Sequence, residues 1–144
     1  MAEDVNSPHI SMHYHAVRNF LFNLARKLRA LLVRLRTKSL EDFAQGSLDF
    51  VFSSHCLEHN AEWKPVLNQW TSKLKRDGVL FLYLPHPECG IWEPGSPFVG
   101  DEHKWSPTPE IIKSTMQDSG FSLVAYDDGP DVMYSFWVCA RKDV

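Results

Sequence analysis

The sequence predicts an α/β domain built on an open sheet, and three observations predict it. Two β-rich apolar runs, Leu48 to Phe52 and Val79 to Leu84, stand about one helix apart. Between them Trp63, Val66, Leu67, Trp70 and Leu74 recur at helical steps. Each run then breaks into polar or proline residues, S-S-H-C-L-E-H after the first and P-H-P after the second. A strand–helix–strand unit of this kind carries parallel strands. Ligands of open α/β sheets bind just beyond the carboxyl ends of such strands. Ser53, Ser54, His55, Glu58 and His59 at one end, and Pro85, His86 and Pro87 at the other, are therefore expected to crowd one rim.

The bulk properties bound the reading. At 144 residues and 44% apolar content the chain has the make-up of one domain with a real core. Its net charge of −3 is uneven. Residues 5–40 carry seven Lys or Arg and no acid, so residues 41–144 are strongly acidic, which argues against a nucleic-acid partner. Three cysteines, Cys56, Cys89 and Cys139, make no disulfide framework and suit free thiols in a reducing compartment. No apolar run reaches the length of a membrane span, and the amino terminus lacks a signal-peptide core, so a cytoplasmic location is expected.

Along the chain, residues 1–14 read as a solvated tail, although His9, His13 and His15 are a scatter of metal-ligand types. From His15 to Lys38, Val17, Phe20, Leu21, Leu24, Leu28, Leu31, Leu32 and Leu35 form one helical stripe, with Arg and Lys on the rest of the wheel. Such a basic amphipathic helix packs on a sheet, lies on an anionic membrane, binds a partner or targets an organelle. Ser39 to Ser47 is a connector, with Gly46-Ser47 as turn chemistry. The Leu48–Phe52 strand is so continuously apolar that both its faces are expected to be covered. The helix from about Glu62 to Lys75 ends at Asp77-Gly78, with Lys73, Lys75 and Arg76 suiting its dipole.

Pro85 to Pro109 is a long proline-rich loop with Trp92, Asp101, Glu102, His103 and Trp105. Its length and composition suggest a lid or substrate loop. Thr108 and Pro109 open a helix as N-cap and first residue, and Gly120 stops it. Phe121 to Tyr126 and Tyr134 to Ala140 read as an antiparallel hairpin. An uncovered sheet edge invites an oligomer or another partner.

Two rival chemistries arise from the residues alone. His55, Cys56 and His59 with His86 and Cys89 are acceptable zinc ligands, but no H-E-x-x-H or C-x-x-C spacing supports them, and no metal is assigned. Cys56, at a helix start near histidines, stands where a thiol can be activated, against the commoner inert buried cysteine.

Taken together, D-F-V-F-S-S-H-C-L-E-H, a helix ending L-K-R-D-G, V-L-F-L-Y-L-P-H, a helix ending D-S-G-F and a terminal hairpin resemble the C-terminal half of class I S-adenosylmethionine-dependent methyltransferases, particularly the small-molecule type 11 group. The resemblance covers roughly residues 39 to 142. It implies a truncated Rossmann-like methyltransferase sheet of about four strands, the last antiparallel, in residues 39–144, preceded by the tail and basic helix in residues 1–38. It also implies methyl transfer from S-adenosylmethionine to a small-molecule or glycan-type acceptor. By the same resemblance Glu41, Asp42, Ser53, Ser54 and His55 would touch the cofactor, and His55, His103 and His86 are the candidate general bases.

The departure from the family is in the glycines. The family's cofactor site uses a Gly-rich turn that lets backbone approach the ligand. Here none of the seven glycines stands in a G-x-G and none precedes Leu48 except Gly46 in the connector. The expectation is a methyltransferase domain with its front half missing or replaced. The alternative is an inactive remnant that acts by binding, its residues 15–38 engaging a membrane surface or another protein.

Overall fold

The structure, a computed structural model, describes residues 40–143. The tail of residues 1–14 and the helix expected from His15 to Lys38 lie outside them. The described elements are β1 (Leu48–Ser54), α1 (Trp63–Lys73), β2 (Leu74–Pro85), α2 (Pro109–Asp118), β3 (Phe121–Asp127) and β4 (Ser135–Lys142). Short 3-10 turns occupy Leu40–Asp42, Leu57–His59 and Gly90–Trp92. No helix among the described residues is long and apolar enough to cross a membrane.

The four strands form one sheet in the order β1-β2-β4-β3. β1 and β2 are parallel, as their helical crossover requires, with Val51 opposite Leu80 and Ser53 opposite Leu82. β4 returns between β2 and β3 and is antiparallel to both. This is the truncated Rossmann-like sheet that the resemblance implies, closed by an antiparallel strand.

α1 runs directly into β2, two residues earlier than the expected helix end. Leu74 already pairs with Leu48, and Lys75 to Gly78 form an excursion before Val79 pairs with Phe50. Asp77 adopts a left-handed φ of 62° to make it. Gly78 is required by crowding, because a Cβ there would stand 2.9 Å from the Lys75 carbonyl oxygen.

The core lies on one face. Leu80, Leu82 and Leu84 of β2, with Phe136, Val138 and Ala140 of β4, pack under Leu67 of α1 and Ile112 and Met116 of α2. α2 starts where expected, since the Thr108 hydroxyl oxygen accepts from the Ile111 N–H and Pro109 follows.

The expectation that both faces of β1 are covered is corrected. Phe50 and Phe52 are 38% and 49% exposed, because α1 and α2 lie on the other side and no described helix covers this one. Their rings instead continue a row across the sheet, Phe52 stacking on Phe81 at 5.6 Å and Phe81 on Trp137 at 5.5 Å.

Candidate functional site

The carboxyl end of β1 turns sharply. His55 takes a φ of 45°, uncommon for a residue with a Cβ. Its N–H still donates to the Tyr83 carbonyl at 2.9 Å, extending the parallel pairing by one step. That geometry aims the imidazole across the end of the sheet. Its ring lies 5.4 Å from the Tyr83 ring and 5.3 Å from the Trp92 ring. Nε2 meets the Ser135 hydroxyl at 2.9 Å, and Nδ1 stands 3.4 Å from Glu58 Oε1. Ser135–His55–Glu58 has the order of a Ser–His–acid triad. Ser135, however, is fully buried, and its hydroxyl also donates to the Met133 carbonyl, so it is a strut for His55 and not an accessible nucleophile.

The turn Leu57–His59 then places three side chains in three directions. Leu57 enters the core. Glu58 is 0% exposed. His59 stays partly at the surface. Opposite the turn sits the expected loop, and it is docked on the turn. The Lys104 N–H donates to the Glu58 backbone carbonyl at 2.8 Å, and Trp105 Nε1 donates to the Leu57 carbonyl at 3.1 Å. The Trp105 ring lies flat on Trp63 of α1, 4.4 Å between centroids. This docking delivers His103, 4% exposed, to the Glu58 carboxylate.

Glu58 Oε1 thus faces His55 Nδ1 at 3.4 Å and the Nε2 atoms of His59 and His103, each at 3.8 Å. Neither carboxylate oxygen has a hydrogen-bond partner. The buried side-chain polar atoms without a partner, among the described residues, are these two oxygens, Ser53 Oγ and Trp92 Nε1. Trp92 touches both His55 and His103 by its ring, and Ser53 precedes the His55 turn by two residues, so all of them belong to this end of the sheet. Such orphans are rare in folded proteins and call for an explanation.

The predicted residues divide accordingly. His55 and His103 meet at Glu58; Ser53 is buried, opposite Leu82 of β2, and Ser54 is exposed. His86 is buried elsewhere: its Nδ1 accepts from the Glu88 N–H, and its ring meets Phe136 edge-on. Glu41 and Asp42 lie in the turn before β1, beyond the amino end of that strand. Seven residues of strand, roughly 20 Å, lie between that end and the rim. The zinc set read from the sequence does not form; the His, Cys and acidic groups that converge among the described residues are Glu58, His59 and His103. The activated-thiol reading of Cys56 is corrected too. Desolvation, and then the Glu58 carboxylate, push its thiol above the ordinary range, which makes it a poorer nucleophile at neutral pH. Tyr83 and Ser135 are the members that spacing does not single out, while Glu58 is expected at the rim and Trp92 in the loop without a role for either. The L-E-H tripeptide is the one local sign of Glu58.

The family described as methyltransferase domain matches residues 6–82, just over half of the chain. No curated protein sequence matches. Solved structures similar in fold include a 1,6-didemethyltoxoflavin-N1-methyltransferase from Burkholderia thailandensis with bound S-adenosylhomocysteine. It is 16% identical with a TM-score of 0.54, and the match covers 70% of this chain and 46% of that one. An S-adenosylmethionine-dependent methyltransferase from Archaeoglobus fulgidus is 18% identical with a TM-score of 0.54, covering 74% of this chain and 66% of that one. The magnesium protoporphyrin IX methyltransferase from Synechocystis PCC 6803 is 19% identical with a TM-score of 0.53, covering 75% and 50%. The chain thus spans about half to two thirds of the length of these structures.

Proposed function

The chain belongs to the methyltransferase-domain family, and on that premise we propose that its described residues form the acceptor side of an S-adenosylmethionine-dependent methyl-transfer site for a small molecule. The supporting observation is the orphaned donor Trp92 Nε1, on a ring 5.3 Å from that of His55 at the carboxyl end of the parallel strands. A ligand with a polar atom answers it.

The cofactor fits these residues on one side. Ser53 and Ser54 suit its methionine end, whereas no Gly-x-Gly cradle for the nucleoside occurs in the sequence. When bound, the cofactor supplies a methyl group activated by a sulfonium. The chain's own part is to wall in the acceptor with the Tyr83 and Trp92 rings. His55, held through Nε2 by Ser135 and with its Nδ1 3.4 Å from the unpartnered Glu58 carboxylate, is the group that takes the proton an acceptor hydroxyl or amine loses. Isothermal titration of S-adenosylmethionine, and separately of S-adenosylhomocysteine, into the full chain tests the reading. Saturable heat with both is expected. No heat at high micromolar cofactor removes the active-enzyme reading.

A second reading rests on the missing Gly-x-Gly: a methyltransferase-like module that acts by binding. Its basic, Leu-striped residues 15–38 are then the segment that engages an anionic surface or a partner. Failure to co-sediment with anionic liposomes at low salt would exclude the membrane form of it.

A further inference from the structure

Three hydrogen-bond acceptors converge at Glu58 with no donor among them. His59 Nδ1 lies 3.0 Å from the Glu102 carbonyl oxygen, and His103 Nδ1 lies 2.7 Å from the Trp92 carbonyl oxygen. Carbonyls only accept, so both Nδ1 atoms carry hydrogen, and in the neutral rings both Nε2 atoms present lone pairs. Those lone pairs face a fully buried carboxylate whose two oxygens are unpartnered. Extra protons repair this poorly. An Nε2–H placed 3.8 Å from Oε1 is outside hydrogen-bond range, and one carboxylic proton cannot serve two imidazoles.

From this geometry we propose that Glu58, His59 and His103 hold a divalent cation of the zinc class. The three ligand atoms lie within 4.8 Å of one another. Ligands about 2.0–2.1 Å from a tetrahedral ion stand about 3.3 Å apart. The two 3.8 Å separations therefore need to close by about half an ångström, and the third pair, within 4.8 Å, by at most about 1.5 Å. Two imidazoles and one carboxylate form a recurring zinc donor set that leaves a position open. Two nitrogen ligands disfavour magnesium and calcium, which prefer oxygen. The Nδ1–H bonds to backbone carbonyls are the outer contacts that orient metal-bound histidines and fix their tautomer. His59 is partly exposed, which gives the ion a way in. His55 lies next to this cluster, its Nδ1 3.4 Å from the same carboxylate oxygen. Because Glu58 and His59 come from the β1 turn and His103 from the loop, the ion fastens the loop to the end of the sheet. The site does not depend on cofactor binding.

The test is zinc titration of the chelator-treated full chain in competition with a chromophoric chelator, read alongside thermal unfolding and the visible spectrum of the cobalt form. One zinc per chain is expected, with a rise in the unfolding midpoint. Glu58→Gln and His59→Gln should each weaken binding by at least about 10–100-fold, the loss that even outer contacts to a metal site produce. His59→Gln alters a partly exposed residue and is the safer of the two for folding. Cys56→Ser should leave affinity unchanged, and the cobalt spectrum should lack a thiolate charge-transfer band. No uptake at millimolar zinc overturns the proposal. So does uptake that survives both substitutions, or a thiolate band that Cys56→Ser removes.

Discussion

Leu82 and Glu58 are both fully buried, one on the helix-covered face of the sheet and the other at its end, and opposite forces hold them. Leu82 sits among Leu80, Leu84, Val138 and the inner residues of the two helices. Its burial is favourable in itself, about 1.5–3 kcal/mol for a side chain of that size. Glu58 gains nothing from leaving water. A buried carboxylate costs free energy unless it is paired and hydrogen-bonded, and its oxygens have no donor. The covered face is complete as it stands. The rim is held in a costly arrangement by its surroundings, chiefly by the docked loop, and strain of that kind is concentrated at functional sites.

The largest effect belongs to the covered face. Leu82→Ala should cost about 2–5 kcal/mol in urea unfolding, whereas Leu82→Met should cost less than about 1.5 kcal/mol because it conserves volume. A loss under 1 kcal/mol for the alanine variant would mean that this face is not the continuous core described here. The rim should respond with the opposite sign. In chelator, Glu58→Gln keeps the shape and removes a buried charge that no donor pairs. Stability should rise by about 1 kcal/mol, because a neutral amide costs less to bury unpaired than a carboxylate does. Destabilisation of that size in chelator would show that the carboxylate is already well paired, and would erase the contrast with Leu82.

The sequence makes the frame of the fold readable and leaves the site half hidden, for physical reasons. Run length and turn chemistry are local, so the β1–α1–β2 unit, the Thr108 cap and the closing hairpin all follow from short stretches. The coverage of Phe50 and Phe52 is not local. An apolar run cannot report which side a helix elsewhere in the chain will take. His86 and His103 look equivalent as loop histidines. One turns toward Phe136, and the other is carried to Glu58 by the Trp105–Trp63 stack and two backbone carbonyls that no periodicity encodes. His55 is legible as a strand-end residue, but Ser135, which fixes its ring, lies 80 positions away.

A smaller effect tests the junction between the two regions. Thr108 ends the docked loop and starts α2, which carries Ile112 and Met116 into the core. Thr108→Ala leaves the Ile111 N–H without its side-chain acceptor and should cost about 1 kcal/mol, with Thr108→Ser restoring most of it. A loss confined to the loop, seen as faster exchange of the Lys104 amide with unchanged global stability, would show that rim and core open separately.

The smallest effect lies on the outer side of α2. Lys113 Nζ donates to Asp128 at 2.6 Å and sits 4.5 Å from the centre of the Tyr126 ring. The Asp128 hydrogen bond is the main cause that raises the Lys113 ammonium above its ordinary range. A raised cationic pKa stabilises the folded state fully below the unfolded value, about 10.4 for lysine, and that stability is lost as pH climbs through the folded value. The pair is half open to water, so its worth is at most about 1 kcal/mol. The stability difference between the native chain and Lys113→Met should therefore be flat from neutral pH to about pH 10 and shrink above it. A difference that instead disappears on acidification near pH 6 would assign the stabilisation to a histidine, and so to the rim rather than to this surface. Water can replace a lost partner at Lys113, whereas Glu58 is fully buried, which is why the same class of contact should be worth little in one place and decide the chemistry in the other.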